Sequence, residues 1–491
     1  MAIGLGVLVL AGAALRFYGL GHQGFWYDEA NTVFLLNHPL GKMLGLLPGN
    51  ESTPPLYYIV AWLWTRVFGV GEAGLRSLSA LFGVLVIPVA YLLGRTLATR
   101  RVGLVLAALV AFNPLLIWYS QEARSYSLLV LLTALSLLAL VRYRVTPRPR
   151  AAIGWALAAV LALTSHYYAV LAVAPQALWL LYEHRRRSAQ IAVAVVAACG
   201  AALIPLALSQ NGTHRDLWIA RSPMGTRLNQ ILPQMLIGPG SPDRMLVKFV
   251  AIAAALIGLA LLVLRTMAVE RRTALVALGL LLGAAVVSLL FILAGYDDLI
   301  TRNLLALVIP AGLLLACGFG ARRAGHLGLL AAAVLCSLGI FASVGVAADR
   351  GLQRPDWRPL AQLLGPGPHR GQPGRAFLIQ RYGFVLPLSL YLPGLQRIPP
   401  RRGVRVNQLD VIAFSAPEQP LCWWGAACNL IPTRLQPRYP IAGFHLVWRR
   451  RVRQFAVEHF AARQPVVLRS ATVARALTYT HLRKDSLLVQ R

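Results

Sequence analysis

The feature that most constrains this chain is the recurrence of apolar runs of membrane type, near residues 2–20, 74–94, 102–119, 126–141, 151–170, 171–183, 190–208, 246–264, 273–294, 303–320 and 327–347. A hydrocarbon core of roughly 30 Å takes about 20 helical residues at 1.5 Å each. So many runs of that kind make the chain a polytopic α-helical membrane protein with about eleven crossings. Composition agrees, because 57% hydrophobic and 13% charged residues in a chain of 491 lie far from a soluble domain of this length. No small-residue cleavage site follows the first run, which therefore reads as an anchor and not a removed signal.

Charge sets the orientation. The formal charge is +31, but the basic residues of the first 349 positions fall in short clusters between apolar runs, which membrane orientation explains without invoking nucleic acid. Arg95/Arg100/Arg101, Arg142/Arg144/Arg148/Arg150, Arg185/Arg186/Arg187, Arg265/Arg271/Arg272 and Arg322/Arg323 occupy every second loop. Short cytoplasmic loops carry the Lys/Arg excess, so these loops are assigned to the cytoplasm. The alternate loops hold Asp28, Glu29 and Glu51, then Gln121–Arg124, then His166-Tyr167-Tyr168, the 209–245 segment, and Tyr296-Asp297-Asp298 with Arg302. This register holds only if the short aromatic run Leu56–Phe68 is an interfacial helix; counting it as a crossing would invert every later loop.

After residue 347 the apolar runs stop. Residues 350–491 read as a small extracytoplasmic α/β domain, with β-like runs at 375–380 and 409–414 and helix-like stretches near 356–364 and 448–462. Its Cys422 and Cys428 are either a local disulfide or two thiols, while Cys199, Cys317 and Cys336 lie in apolar runs, and no metal-ligand spacing is present. Its basic character points to anionic lipid headgroups or an anionic glycan as attractors.

Acids, arginines, a histidine and aromatics gathered on one membrane face suit glycosyl transfer from a lipid-phosphate sugar. The acceptor needs a carboxylate to take its proton as it attacks the anomeric carbon. The leaving phosphate needs preorganised N–H donors and cations. Charges at one interface, with no hydropathy repeat, argue against the competing reading as a transporter or flippase of lipid-linked glycans. A scaffold with an inert membrane part is the third reading.

Several motifs occur in order: Arg16-Phe17 through Trp26-Tyr27-Asp28-Glu29-Ala30, Pro54-Pro55-Leu56-Tyr57-Tyr58, Phe68–Glu72 with Arg76–Ala80, Tyr119–Tyr126, Arg302–Leu305 and Pro355-Asp356-Trp357-Arg358. On these, residues 16 to about 360 resemble the bacterial members of the protein O-mannosyltransferase and lipid A aminoarabinose transferase superfamily, membrane glycosyltransferases of the GT-C fold. The resemblance implies a polyprenyl-phosphate sugar as donor, a glycan, lipid or protein as acceptor, inversion at the anomeric carbon, and an inner-membrane location with the active site extracytoplasmic. It implies Asp28 as the catalytic base with Glu29 in support, and Glu51 near a second family acid. Tyr126 stands where many relatives have Asp, so Glu122 is the substitute acid. His166 stands near a phosphate-binding Lys of relatives, and with Arg302 and Arg124 is assigned to the donor phosphate. Tyr57, Tyr58, Tyr167, Asp297 and Asp298 complete the expected acceptor and sugar contacts. No cofactor is required; Asp28, Glu51 or Asp297 could hold a divalent cation, but nothing in the spacing demands one.

Overall fold

The computed structural model describes residues 2–490 apart from 184–185, 216, 221, 370–371, 380–384, 397–402, 415–441 and 470–485. Cys422 and Cys428 lie outside the described residues. The chain divides into two compact units, Met1–Leu20 with Leu35–Ala348, and Gly21–Phe34 with Asp349–Arg491.

The first unit is a helical membrane body. Every apolar run read from the sequence is helical. Among the described residues, seven helices are long and apolar enough to cross a bilayer, eight if a bent pair counts as one span; the helices Ala2–Phe17, Pro149–Ser165 and Val170–Glu183 are shorter. Burial separates interior from periphery. The apolar windows of Glu72–Leu97, Tyr126–Val145 and Thr301–Gly320 are 61%, 72% and 78% buried, against 11% for Arg187–Asn211 and 17% for Ala268–Leu293. Helices that are apolar all round yet uncovered by protein carry the signature of lipid contact. The Leu56–Phe68 helix buries Tyr57, Tyr58, Ala61 and Thr65 and exposes Leu63, Val67 and Phe68.

The bent pair is Arg100–Phe112 with Pro114–Ser120, turned by 55°. Pro114 cannot donate to the preceding turn, so Asn113 restarts the helix by accepting from the Leu116 N–H at 2.9 Å. The break frees carbonyls at the end of the first segment, and these need partners in an apolar interior. Arg16, fully buried, supplies them, donating to the carbonyls of Ala111 at 2.8 Å and Val110 at 2.9 Å.

The second unit contains a five-stranded sheet of β1 (Gly374–Ile379), β2 (Val404–Phe414), β3 (His445–Val452), β4 (Phe455–Leu468) and β5 (Ser486–Gln490), ordered β3-β4-β2-β1-β5. β1 and β2 are parallel, and the other pairs antiparallel. The helices Trp357–Leu364 and Val385–Tyr391 pack Trp357, Leu360 and Leu388 on Phe377, Ile412, Phe455 and Val457 of one sheet face. The helix expected near 448–462 is instead the β3–β4 hairpin. Arg449 faces Glu458 in an ion pair of 2.7 Å and Trp448 stacks on His459 at 5.0 Å, so cross-strand pairing wins over local helix propensity. The turn places Arg453 in the left-handed region at φ 52.

The expected division kept the whole first outer loop, 21–73, with the membrane half. In the structure that loop is split, and Gly21–Phe34 groups with the sheet-containing unit.

Candidate active site

The adjacent acids open the helix Tyr27–Leu36. Glu29 is fully buried, and its carboxylate reaches back to the Trp26 N–H at 3.4 Å, the return half of a capping box. Asp28 is half-buried in the same first turn, and its carbonyl accepts from the Thr32 hydroxyl at 3.3 Å.

In the membrane body a second set of predicted residues converges. Glu51 ends the Leu40–Asn50 helix and meets Arg124 at 2.6 Å, with both side chains buried. Arg124 lies in the turn joining Pro114–Ser120 to Tyr126–Val145. Its carbonyl accepts from Ser79 at 3.2 Å, and the Ser79 hydroxyl also meets the Tyr57 hydroxyl at 3.2 Å. The Arg124 guanidinium stands 5.9 Å from the Tyr58 ring, and the Tyr58 hydroxyl pairs with Thr53 at 3.1 Å. Burial raises the Tyr58 pKa well above its ordinary value, so it stays a neutral donor and acceptor.

His166 ends the Pro149–Ser165 helix, 3% exposed. Its ring lies 5.6 Å from that of Tyr126 and 5.7 Å from that of Tyr168. Burial, with the charges of Arg124 and Arg302 adding, pulls its pKa down to about 3, so the imidazole is neutral at physiological pH. Nδ1 accepts from the Tyr168 N–H at 3.2 Å, which assigns the ring proton to Nε2. The histidine is thus a neutral donor in the field of two arginines, not a third cation. Arg302 is half-buried in the short 3-10 turn Thr301–Leu307.

The neighbouring loop carries Asp297 and Asp298 in different roles. Arg227 grips Asp297 through both guanidinium ends, at 2.8 and 2.5 Å, and this holds the Asp297 carboxyl below its ordinary pKa. Asp298 accepts from the Tyr168 hydroxyl at 2.8 Å. Tyr167, half-buried, donates to Gln210 at 2.8 Å, and Gln210 in turn donates to the Thr53 carbonyl at 3.1 Å. Tyr57, Tyr58, Glu122 and Tyr126 are each at most 5% exposed. Among the described residues no three His, Cys, Asp or Glu side chains gather as a metal site.

Sequence reasoning gave no role to Ser79, Tyr168, Gln210 or Arg227. Tyr168 had a signal in its place beside His166, whereas the others are defined by partners distant in sequence. Chemically, the cluster offers arginine charge and a neutral N–H donor inside a body of low dielectric, the requirements of an anion site.

Residues 52–209 match the family described as dolichyl-phosphate-mannose-protein mannosyltransferase. The matched stretch contains Tyr57, Tyr58, Glu122, Arg124, Tyr126, His166 and Tyr167. Among solved structures, the chain is similar to the oligosaccharyltransferase of Archaeoglobus fulgidus, solved with Zn and sulfate, at 12% identity and TM-score 0.46, covering 79% of this chain and 61% of that one. It is similar to ArnT from Cupriavidus metallidurans bound to undecaprenyl phosphate, at 16% identity and TM-score 0.41, covering 94% and 98%. For the S. cerevisiae protein O-mannosyltransferase complex Pmt1–Pmt2 bound to the sugar donor, identity is 14% and TM-score 0.32, with 44% and 33% covered. The chain thus spans about three fifths of the archaeal enzyme and a third of the yeast chain. No curated protein matches.

Proposed function

We propose that the chain is an integral membrane glycosyltransferase that moves a sugar from a polyprenyl-phosphate donor to a glycan, lipid or protein acceptor on the extracytoplasmic face of the inner membrane. The observation that carries this reading is the grouping of the buried His166 and Arg124 with the half-buried Arg302, the first two of which lie within the family match. In the proposed reaction the acceptor hydroxyl oxygen attacks the anomeric carbon and gives its proton to the Asp28 carboxylate. The bond from that carbon to the phosphate oxygen breaks, and polyprenyl phosphate leaves with the electron pair. Arg302 and Arg124 offset the growing charge, and the Nε2–H of His166 donates to it. Glu29 supports the loop as a cap. Tyr167 and Asp298, both half-buried and neither in an ion pair with Arg227, take the acceptor or sugar.

The test measures binding of undecaprenyl phosphate to the full chain in nanodiscs. Arg302→Ala removes a charge-assisted bond and should weaken binding by roughly tenfold to a hundredfold. Arg302→Lys should recover part, because an ammonium supplies charge without the fork. His166→Gln, which keeps a neutral N–H donor, should bind better than His166→Ala. Unchanged affinity in Arg302→Ala would make that residue a snorkelling anchor and remove it from the site.

A further inference from the structure

The Pro355-Asp356-Trp357-Arg358 motif and the sheet-containing domain behind it have no part in the reaction as written. Their contacts give them one. The short segment ahead of Asp28 is held by its backbone to side chains of the C-terminal domain. The Gly24 N–H donates to the Asp356 carboxylate at 3.0 Å, and the Phe25 N–H to the Tyr391 hydroxyl at 2.6 Å. Arg358 donates to the Gly21 carbonyl at 3.1 Å, Gln23 donates to the Arg354 carbonyl, and the Arg354 guanidinium stands 5.6 Å from the Trp26 ring. The approach is close enough that a Cβ on Gly24 would lie 2.6 Å from Asp356 Oδ1 and 3.1 Å from the Tyr391 hydroxyl.

These partners are themselves fixed. Asp356 is 6% exposed and also caps the Trp357–Leu364 helix by accepting from the Arg358 N–H at 3.2 Å. Trp357 and Leu388, on the two helices that bring Asp356 and Tyr391, belong to the core packed on the sheet. A rigid sheet and helix layer therefore grips the backbone of residues 21–25, and the helix that begins at Tyr27 starts from that grip.

We infer that the C-terminal domain is a positioning device for the loop that carries the proposed base, with Asp356 and Tyr391 as its positioning residues. The inference rests on the reading of Asp28 as general base. A carboxylate on a loop without a fixed entry would sample more orientations, and a misplacement of about 1 Å costs roughly a hundredfold in rate. Two backbone N–H groups, bonded to the buried Asp356 carboxylate and the half-buried Tyr391 hydroxyl, remove that freedom without touching the reacting atoms.

The experiment uses the full chain in nanodiscs, with amide exchange of segment 21–34, undecaprenyl phosphate binding, and transfer from synthetic polyprenyl-phosphate sugars to acceptors in membrane extract. Tyr391→Phe and Asp356→Ala should raise exchange at the Gly24 and Phe25 amides by about tenfold or more. They should lower kcat by roughly tenfold to a hundredfold while leaving undecaprenyl phosphate affinity within about twofold. Asp356→Asn keeps the acceptor oxygen and should restore turnover to within about threefold of the parent. Gly24→Ala should reproduce the loss. Normal turnover in the clamp variants, with Asp28→Asn inactive, would overturn the positioning role alone. Normal turnover in Asp28→Asn would overturn the base assignment and this inference with it.

Discussion

At the scale of the residue, Glu29 sits third in its helix and spends its carboxylate on the Trp26 N–H, buried from solvent. Asp28, one position earlier, is half-buried in the same turn. Adjacent acids with such different surroundings suit a division of work, with Glu29 holding the helix start and Asp28 as the proposed base. Asp28→Asn keeps the shape of the side chain and removes the base, so transfer should fall by about 10² to 10⁴ with undecaprenyl phosphate binding retained. Glu29→Gln still reaches the Trp26 N–H through its amide oxygen and should cost far less. Turnover of the purified variants decides the matter, and a normal Asp28→Asn would return the pair to a charged helix start. The basic and acidic residues of the membrane body divide in a similar way: Glu51 is bound to Arg124 and Asp297 to Arg227, and His166 is kept neutral by burial, with the charges of Arg124 and Arg302 adding. The histidine's depressed pKa also has a sign. The unfolded chain takes up this proton near pH 6.5 and the folded one only near 3, so His166 withdraws stability as pH falls through that window.

At the scale of the element, helices of the membrane body meet by close backbone approach as well as by side chains. Gly318, in the Val308–Gly320 helix, lies so near the Arg244–Arg265 helix that a Cβ there would stand 1.9 Å from the Gly258 carbonyl oxygen. Gly318→Ala must push the two helices apart, and should cost about 1–3 kcal/mol as overpacking does. Gly279, in the Ala268–Leu293 helix, has nothing within 4 Å of its Cβ position, so Gly279→Ala should be neutral or stabilise by up to about 1 kcal/mol through helix propensity. Thermal unfolding in detergent compares the two, and equal midpoints would show that the helix pair yields without strain. Arg16 has an analogous role, since it satisfies the carbonyls that the Asn113–Pro114 break releases.

At the scale of the whole molecule, the arginine clusters predict an orientation, with their loops cytoplasmic. Cysteines placed at Arg148 and Arg186 in a cysteine-free background should be protected from an impermeant thiol reagent in intact cells, while those at Asn211 and Gln372 should react. Labelling of both sets, or the reverse pattern, would sink the topology and with it the extracytoplasmic site. The same residues 52–209 that match the mannosyltransferase family hold most of the predicted phosphate and aromatic positions. The C-terminal domain lies outside that match.

The sequence alone determined the membrane class, the position of each apolar helix, the Leu56–Phe68 helix, and the strands near 375–380 and 409–414, because hydropathy and its period are properties of neighbouring residues. Tertiary structure decided what the periodicity cannot carry. Residues 448–462 became a hairpin because β2 and β3 lie on either side of β4. Glu51 is paired with Arg124, Asp297 with Arg227, and the Gly24 amide with Asp356. Each of these bonds joins residues far apart along the chain, where helix and strand periods of 3.6 and 2 have lost all register. Which polar groups are used up in pairing and which remain for chemistry was therefore settled only when the fold brought those distant partners within hydrogen-bond reach.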